Sequence, residues 1–336
     1  MRQLAWIADR LPGPRSRRCV RGEQTRWRVS LGLFAVVVIA PQLKATGPQT
    51  EPGRATCPPA PWTRDALLAL SEQRFVVADD AERQRLAIGL VSCLDDPDPA
   101  LRDEVGYSAL AAWLRGKSLA PPTVVALSDV MLARLEKPDD PAGFGRPFAA
   151  LVLSEIARAD RLDLVLPERT VQAMVGAAES FLTGIRDYRG LDPREGWRHG
   201  VAHGADLVLQ LGLNPRIGGN ELRRLLAAVA TQVVPGGEVF YTDGESERLA
   251  RAVFFLARRE ELDQLFWYGW FEAIGAPSPL PSWSNATQSR PGLARRHNTI
   301  AFLSAVAFAA RASASAENTP LAALAARELR RIMSGS

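Results

Sequence analysis

The chain has 336 residues, 47% of them hydrophobic and 23% charged, which is the composition of a soluble globular protein with ample material for a buried core. The formal net charge of +4 is unevenly distributed: residues 1–45 contain nine Lys or Arg and two acidic residues, so the rest of the chain carries −3. A mildly acidic body lacks the positive surface that neutralises phosphates, which excludes a nucleic-acid-binding function.

The N-terminal region has the pattern of an export signal. In "RWRVSLGLFAVVVIAPQLKATG", residues 26–47, arginines precede an apolar run from Val29 to Ala40. This run is too short to cross a bilayer, which needs about 20 residues, but it suits the apolar core of a signal peptide. We expect residues 1–45 to direct export, so that the mature chain is periplasmic or secreted. The alternative is an uncleaved N-terminal anchor, which would then provide the chain's membrane contact.

Export gives meaning to the cysteines. Cys19 would be removed with the signal peptide, which leaves Cys57 and Cys93 in the mature chain. In an oxidising compartment these two could form a disulfide that pins the N-terminal tail to an early helix. The alternative is two free thiols, with Cys93 a small core residue on the apolar segment "RLAIGLVSCL". The sequence leaves both alternatives open.

The rest of the chain reads as a linker followed by one helical domain. Residues 46–61 are rich in Pro, Gly and Thr and are typical of a linker. From residue 62 to 336, apolar residues recur at the three- and four-residue intervals of amphipathic helices. The predicted helices cover residues 63–74, 79–94, 99–116, 122–136, 147–159, 167–184, 195–212, 219–234, 244–258, 260–274, 297–312 and 318–333.

Paired helices on short connections predict an all-α fold. The sequence contains neither the strand–helix alternation of an α/β protein nor a glycine-rich phosphate loop. We therefore predict an α-solenoid of HEAT/armadillo-like helical hairpins, with an α/α toroid as the alternative. Either architecture has a concave face on which functional side chains could gather.

Two of the three histidines lie four positions apart in "EGWRHGVAHGADLVLQ", residues 195–210. If this segment is one helix, each residue advances about 100° around its axis. The polar side chains then share one face, which carries Glu195, His199, His203, Asp206 and Gln210. The opposite face is apolar and carries Trp197, Val201, Val208 and Leu211.

The polar face could support two kinds of chemistry. His199, His203 and Asp206 could bind a divalent metal through three ligands and leave positions open for water or substrate. Without a metal, His203 and Asp206 could act as a base and its orienting carboxylate. The sequence does not contain H-E-x-x-H, so a zincin-type protease is not supported. The alternatives are a solvated helix face, or side chains that satisfy polar groups buried between helices.

Further groups could complete a pocket at this face. Glu245 and Arg248, at the start of a later helix, are candidate catalytic groups beside His199, His203 and Asp206. Capping is the alternative role for Glu245, since an acidic residue in a first turn is stabilised by the helix dipole. The expected lining residues of the pocket are Asp187, Arg189, Glu195, Trp197 and Gln210.

Several blocks of the sequence resemble the bacterial family known as domain of unknown function 2785. They run in order from about residue 65 to 315 and include "DPALRDEVGYSALAAWL", "FGRPFAALVLSEIARAD", "GESERLARAVFFLARR" and "HNTIAFLSAVAF". The most specific is G-W-x-H-x-x-x-H-x-x-D, which matches from Gly196 to Asp206. Pro147 departs from the family pattern, which usually has Ser there, and the export signal is not typical of the family. The resemblance implies an all-helical, armadillo-like fold and no particular activity.

These observations predict an exported helical-repeat protein. Its function is expected to be binding or scaffolding of a protein, peptide or small-molecule ligand, through a polar pocket centred on His199, His203 and Asp206. The alternative is a metal-assisted hydrolase or an acid–base enzyme that uses the same three residues. A divalent metal is a possible cofactor, and no other cofactor is indicated.

Overall fold

The computed structural model describes residues 56–313 and 319–335; the predicted signal peptide, Cys19 and the start of the predicted linker lie outside them. The chain is mainly helical. The α-helices are α1 (Arg64–Glu72), α2 (Asp80–Gly89), α3 (Ser108–Arg115), α4 (Pro121–Leu135), α5 (Gly145–Asp163), α6 (Glu168–Gly184), α7 (Gly200–Gly212), α8 (Gly219–Val233), α9 (Glu245–Leu256), α10 (Gln264–Gly275), α11 (Arg290–Ala312) and α12 (Thr319–Ser334). Shorter elements are 3-10 turns at Leu90–Asp95 and Trp283–Gln288, a π-helical stretch at Ala100–Tyr107 that continues into α3, and two-residue strands β1 (Leu191–Asp192) and β2 (Gly196–Trp197).

The prediction of an all-α fold is confirmed, and each predicted helix has a counterpart. Local capping explains many of the boundaries. The Asp79 carboxylate accepts a hydrogen bond from Ala81 N at 2.9 Å, and the Asp263 carboxylate accepts one from Phe266 N at 2.8 Å. Two boundaries differ clearly from the prediction: α7 begins at Gly200 and not at 195, and α11 begins at Arg290 and not at 297.

The early start of α11 has a simple cause. Ser289 is its N-cap, with Oγ accepting from Gly292 N at 3.1 Å, and Pro291 occupies the first turn, where the missing N–H costs nothing. Asn298, the second residue of the helix predicted over 297–312, therefore lies inside α11 and does not cap its start.

The helices pack in two rows. In one row α5 contacts α7, α7 contacts α9 and α9 contacts α11; in the other, α2 contacts α4, α4 contacts α6 and α6 contacts α8. The rows are joined where α4 meets α5 and α6 meets α7. Between them lies a continuous apolar core that includes Leu153, Val208, Val253 and Phe302, all fully buried.

Helix α7 lies in the middle of its row, and this changes the expected character of its polar face. It contacts α5 and α9 on either side and α6 and α8 in the other row. Nearly all of its residues are buried, including His203. The face that carries His203, Asp206 and Gln210 is therefore packed against neighbouring helices and is not a solvated face.

Cys57 and Cys93 form a disulfide and are not two free thiols. The linker residues beside Cys57 are also held to the domain: Ser92 Oγ donates to the carbonyl of Thr56 at 2.8 Å, and Pro59 packs so closely on Gly89 that an added Cβ there would lie 2.8 Å from the Pro59 Cβ. The end of the predicted linker, from residue 56 onward, is thus anchored to the helical domain. In this described part of the chain no helix is both long and apolar enough to span a membrane.

Candidate functional site

The segment that enters α7 is a β-hairpin and not the first turns of a helix. Leu191 pairs with Trp197, and the pairing continues as Arg198 N donates to the carbonyl of Gly190 and His199 N to that of Arg189, both at 3.2 Å. The Asp192 carboxylate accepts hydrogen bonds from the backbone N–H groups of the turn. Asp192 is followed by Pro193 in this turn, a pairing typical of turns.

The prediction of one helix over 195–212 is therefore wrong in its first five residues. Gly196 has φ +76° and His199 has φ +55°, and a right-handed helix cannot contain either conformation. The helical positions assigned to Glu195, Trp197 and His199 do not apply. Glu195 instead pairs with Arg198, with Nη2 to Oε2 at 2.7 Å. Trp197, expected opposite His199, stacks on its ring.

The hairpin nevertheless brings the two imidazoles together. The ring centroids of His199 and His203 are 5.9 Å apart at an angle of 64°. The Trp197 indole stacks on the His199 ring at 4.7 Å with an angle of 24° and remains 37% exposed. The two histidines are thus held together by a hairpin and a helix, and not by one helix.

His199 is a buried side chain with an unsatisfied atom. It is 8% exposed, and its Nε2 is buried without a hydrogen-bond partner. Burial and the positive charge of Arg248 lower the pKa of His199, while a hydrogen bond with the backbone of Asp243 partly opposes this. His199 also has the left-handed backbone conformation that is uncommon outside glycine. Backbone strain of this kind clusters at functional sites, and an unpaired buried polar atom calls for an explanation, such as a water or ligand that it would bond.

His203 is held in one tautomer. Its Nδ1 is 3.2 Å from the carbonyl of Pro147 on α5, and since a carbonyl can only accept, Nδ1 carries the proton and donates. The lone pair is then on Nε2. Burial, with the nearby His199 and Arg248, lowers the pKa of His203 to about 3. The ring also contacts Phe148, with centroids 5.3 Å apart.

Asp206 and Arg248 form an ion pair between α7 and α9 through Oδ2 and Nη1. Asp206 is mostly buried and Arg248 is 41% exposed. Burial raises the pKa of the Asp206 carboxyl, and the Arg248 guanidinium opposes this. The positive charge of Arg248 is close enough to lower the pKa of both His199 and His203.

Glu245 reaches the histidines through Asp243. Its buried carboxylate accepts a hydrogen bond from Asp243 N at 3.0 Å, and burial raises the pKa of the carboxyl. The backbone of Asp243 in turn contacts His199. Glu245 is the first residue of α9, which is the position expected for a capping role. Its hydrogen bond with Asp243 also fixes the segment that contacts His199.

Three other expected lining residues make their side-chain contacts with other parts of the chain. Asp187 and Arg189 pair with each other at 2.5 Å, and the Arg189 guanidinium also reaches the carbonyls of Pro141 and Ala142, at 3.4 Å each, before α5. The Gln210 Oε1 accepts from Arg161 Nε at 2.9 Å. These contacts join loops and helices around the site and do not converge on the histidines.

Sequence reasoning did not find the residues that hold the hairpin. The guanidinium of Arg102 is fully buried over the Phe144 ring, 3.9 Å from its centroid, and Nη2 donates to the carbonyl of Glu195 at 2.5 Å. Arg198 lies over the same ring at 4.2 Å and donates from Nε to the carbonyl of Ala142 at 2.8 Å. Arg102 is 93 positions from Glu195, so no local pattern could have indicated the contact.

The three predicted metal ligands do not form a ligand group. Throughout residues 56–313 and 319–335, no three His, Cys, Asp or Glu side chains are grouped so that they could hold a metal ion. Asp206, the expected carboxylate ligand, is already bound by Arg248. The geometry gives no support to a metal at His199, His203 and Asp206.

Replacing His203 by Asn should flatten the acid dependence of stability. The unfolded imidazole titrates near 6.5 and the folded one near 3, so the unfolded state binds more protons between these values and stability falls as pH falls through them. From pH 7 to 5 this amounts to about 2 kcal/mol. Asn keeps a donor for the Pro147 carbonyl and cannot titrate. Urea unfolding gives the free energy of unfolding of both proteins at pH 7 and at pH 5. Between these pH values the variant should lose about 2 kcal/mol less than wild type. Equal losses in the two proteins would contradict the assignment of a lowered pKa to His203.

The comparisons with known proteins identify a family and nothing further. A family model described as Protein of unknown function (DUF2785) matches residues 131–308. The matched residues contain the complete histidine block but not the block at 98–114, so they are fewer than the resemblance from 65 to 315 suggested. A search of curated proteins and a search of solved structures match nothing. Since the family model covers more than half of the sequence, this chain belongs to the DUF2785 family of proteins of unknown function.

Proposed function

We propose that this chain is an exported binding module, an α-solenoid of HEAT/armadillo-like hairpins that holds a protein, peptide or small-molecule ligand at the histidine cluster. Such solenoids bind partners through faces assembled from successive repeats. The observation that carries the proposal is the buried, unpartnered Nε2 of His199.

Contacts between successive loops support the solenoid architecture. Arg198 ties the loop before α7 to the loop before α5. Gly190, also before α7, packs so closely on the Asp243 carboxylate before α9 that an added Cβ would collide with it. Asn298 on α11 donates to the carbonyl of Val239, before α9, at 2.9 Å. Helices α5, α7 and α9 thus begin at one edge, as stacked hairpins require. Among the described helices, no extensive contact joins α1–α4 to α9–α12, which favours a solenoid over a toroid.

The chemistry at this edge favours a ligand that brings hydrogen-bond donors. Because His199 is mostly buried beside Arg248, its imidazole favours the neutral form. We assign its proton to Nδ1, since the ring bonds the backbone of Asp243 and Nε2 has no hydrogen-bond partner, so that Nε2 is an acceptor. A buried acceptor without a donor costs about 1–3 kcal/mol. A ligand N–H or O–H would recover this cost once side-chain movement at the edge of the cluster admits it to Nε2, which the structure buries. The partly exposed Trp197 provides a flat apolar surface next to this atom, and Arg248 provides an exposed cation.

Catalysis is the weaker alternative for physical reasons. A general base works best with a pKa near the operating pH, whereas burial and the nearby cation lower the pKa of His203 to about 3. A metal-assisted hydrolase needs a third ligand, and the Asp206 carboxylate is engaged by Arg248. The cluster is better suited to accept hydrogen bonds than to transfer protons.

The disulfide supports the proposal of export. Disulfides persist in oxidising compartments and are uncommon in the cytosol, and the Cys57–Cys93 bond lies directly after the segment that has the pattern of a signal peptide. N-terminal sequencing of the protein from the periplasmic or medium fraction would test this. A chain found only in the cytosol with its first 45 residues intact would contradict it.

The variant His199→Asn tests the binding site, because Asn tolerates the left-handed conformation and removes the imidazole. The Tm is measured in the presence of a panel of peptides, oligosaccharides and Zn²⁺. The proteins compared are wild type, His199→Asn and Arg194→Ala, which is a control at the exposed tip of the hairpin. A ligand at about 100 times its Kd stabilises by about 2.7 kcal/mol. We expect a peptide or oligosaccharide to raise the Tm of wild type and Arg194→Ala but not of His199→Asn.

Two results would refute the binding site. One is an absence of any shift across the panel, and the other is a set of shifts that His199→Asn retains in full. Stoichiometric Zn²⁺ that is lost in the double variant His199→Ala/His203→Ala would instead favour the metal-assisted enzyme.

A further inference from the structure

A cavity that is open to solvent lies at the start of α11, apart from the histidine cluster, and Arg290, Leu293 and His297 in its lining are exposed. Its volume is about 490 Å³, within the range of about 300–1,000 Å³ that is usual for small-molecule sites. The lining residues are Phe240, Arg290, Leu293, Arg296, His297, Ile300 and Ala301.

The walls of this cavity combine apolar surface with two cations. Arg290 extends over the Phe240 ring at 4.6 Å from its centroid, and Leu293 and Ile300 add aliphatic surface. Arg290 and Arg296 have no carboxylate within ion-pair distance among the residues that the structure describes, although many other arginines of the chain do. Among the described residues, the hydrogen-bond partner of the Arg296 guanidinium is the sulfur of Met333, at 3.5 Å, which is a weak acceptor.

The cavity wall formed by Phe240 is held in place. His297 Nε2 donates to the carbonyl of Tyr241 at 3.1 Å, since the carbonyl can only accept, and its ring lies 5.6 Å from that of Phe240. Asn298 is fully buried and bonds both neighbours of Phe240: Oδ1 accepts from Tyr241 N at 3.0 Å, and Nδ2 donates to the carbonyl of Val239 at 2.9 Å. The cavity wall is therefore preorganised, which lowers the entropic cost of binding.

We infer that this cavity binds an organic anion with an apolar body. Its carboxylate or phosphate would accept hydrogen bonds from Arg290 and Arg296, whose planar guanidinium groups match the geometry of such oxyanions. The apolar body would lie against Phe240, Leu293 and Ile300. The inference depends on this cavity alone, so a negative result at His199 leaves it unaffected.

Calorimetric titration with octanoate tests whether the cavity recognises both the anionic group and the apolar body of a ligand. Octylamine has the same chain with a cation, octanol has it without a charge, and acetate has the charge without the chain. We expect octanoate to bind wild type more tightly than each of these three. The double variant Arg290→Gln/Arg296→Gln should weaken octanoate binding about tenfold or more, because hydrogen bonds between charged groups are lost.

Arg311→Gln is the matched control, since Arg311 is an exposed arginine of the same helix outside the cavity, and its affinity for octanoate should equal that of wild type. Arg290→Lys/Arg296→Lys keeps the charge and should bind better than the Gln pair. If the double Gln variant fails to fold, the two single Gln variants are compared instead. The inference is overturned if octanoate does not bind, if octylamine or octanol binds equally well, if acetate matches octanoate, or if the Gln variants bind like wild type.

Discussion

Replacing Arg102 by methionine is expected to lower the free energy of unfolding by about 3–5 kcal/mol, although methionine nearly fills the same volume. The guanidinium of Arg102 is completely buried and donates to the carbonyls of Asp96, at 2.9 Å, and Glu195, as well as to the Asp103 carboxylate. Methionine would leave these partly buried acceptors without the Arg102 donors, and an unpaired acceptor that is buried costs about 1–3 kcal/mol.

Chemical denaturation of wild type and Arg102→Met would measure this loss. Arg85→Met is the matched control, because Arg85 is exposed, and a surface substitution of this kind usually changes stability by about 0.5 kcal/mol or less. Arg102→Lys should fall between the two, since it retains the charge but not the fixed fork of donors. Equal stability of Arg102→Met and Arg85→Met would contradict the role assigned to the buried guanidinium.

The same substitution should also loosen the hairpin that carries Trp197 and His199. Arg102 is bonded to the hairpin at Glu195 O, and an added Cβ at Gly196 would lie 2.8 Å from its guanidinium. Hydrogen exchange of the amides of Arg198 and His199 should therefore accelerate. The control is a variant with the same loss of stability at a distant core position, such as Leu127→Ala in α4. In that variant the amides of Arg198 and His199 should exchange more slowly than in Arg102→Met.

Helices could be predicted from the sequence because their signals are local. The spacing of apolar residues and the caps at Asp79 and Asp263 act within one or two turns, and the helices they predict are present. The hairpin at residues 189–199 could not be predicted in the same way. Its conformation depends on Arg102, which is distant in sequence, so periodicity alone extended α7 backward over the hairpin.

The sequence indicates which residues form the candidate site better than it indicates how they are arranged. On α7 the spacing correctly placed His203, Asp206 and Gln210 on one face, but it could not indicate that this face is buried. In the structure each of the three joins a neighbouring helix: His203 bonds Pro147 on α5, Asp206 pairs with Arg248 on α9, and Gln210 accepts from Arg161 on α5. Most of this face is thus structural. His199, outside the helix, is left with the unsatisfied atom.

Removing the Cys57–Cys93 disulfide is expected to cost about 4 kcal/mol of stability, because the bond closes a long loop in the unfolded chain. The two cysteines are 36 positions apart. Cys93 lies fully buried in the 3-10 segment after α2, while Cys57 lies at the end of the linker. The bond therefore holds the N-terminal tail against the domain core, and the reduced chain should be markedly less stable than the oxidised one.

Urea unfolding can separate the contribution of the cross-link to stability from that of side-chain packing. The proteins compared are wild type, with and without reductant, and the variants Cys57→Ala and Cys57→Ala/Cys93→Ala. Cys57→Ala leaves Cys93 in place as a small buried residue, so reduced wild type and Cys57→Ala should have similar stabilities. Reductant should change neither variant. The double variant should lose slightly more, because it also creates a small cavity at Cys93. If reductant leaves the unfolding midpoint of wild type unchanged while thiol labelling shows that both cysteines are free, the cross-link does not stabilise the fold.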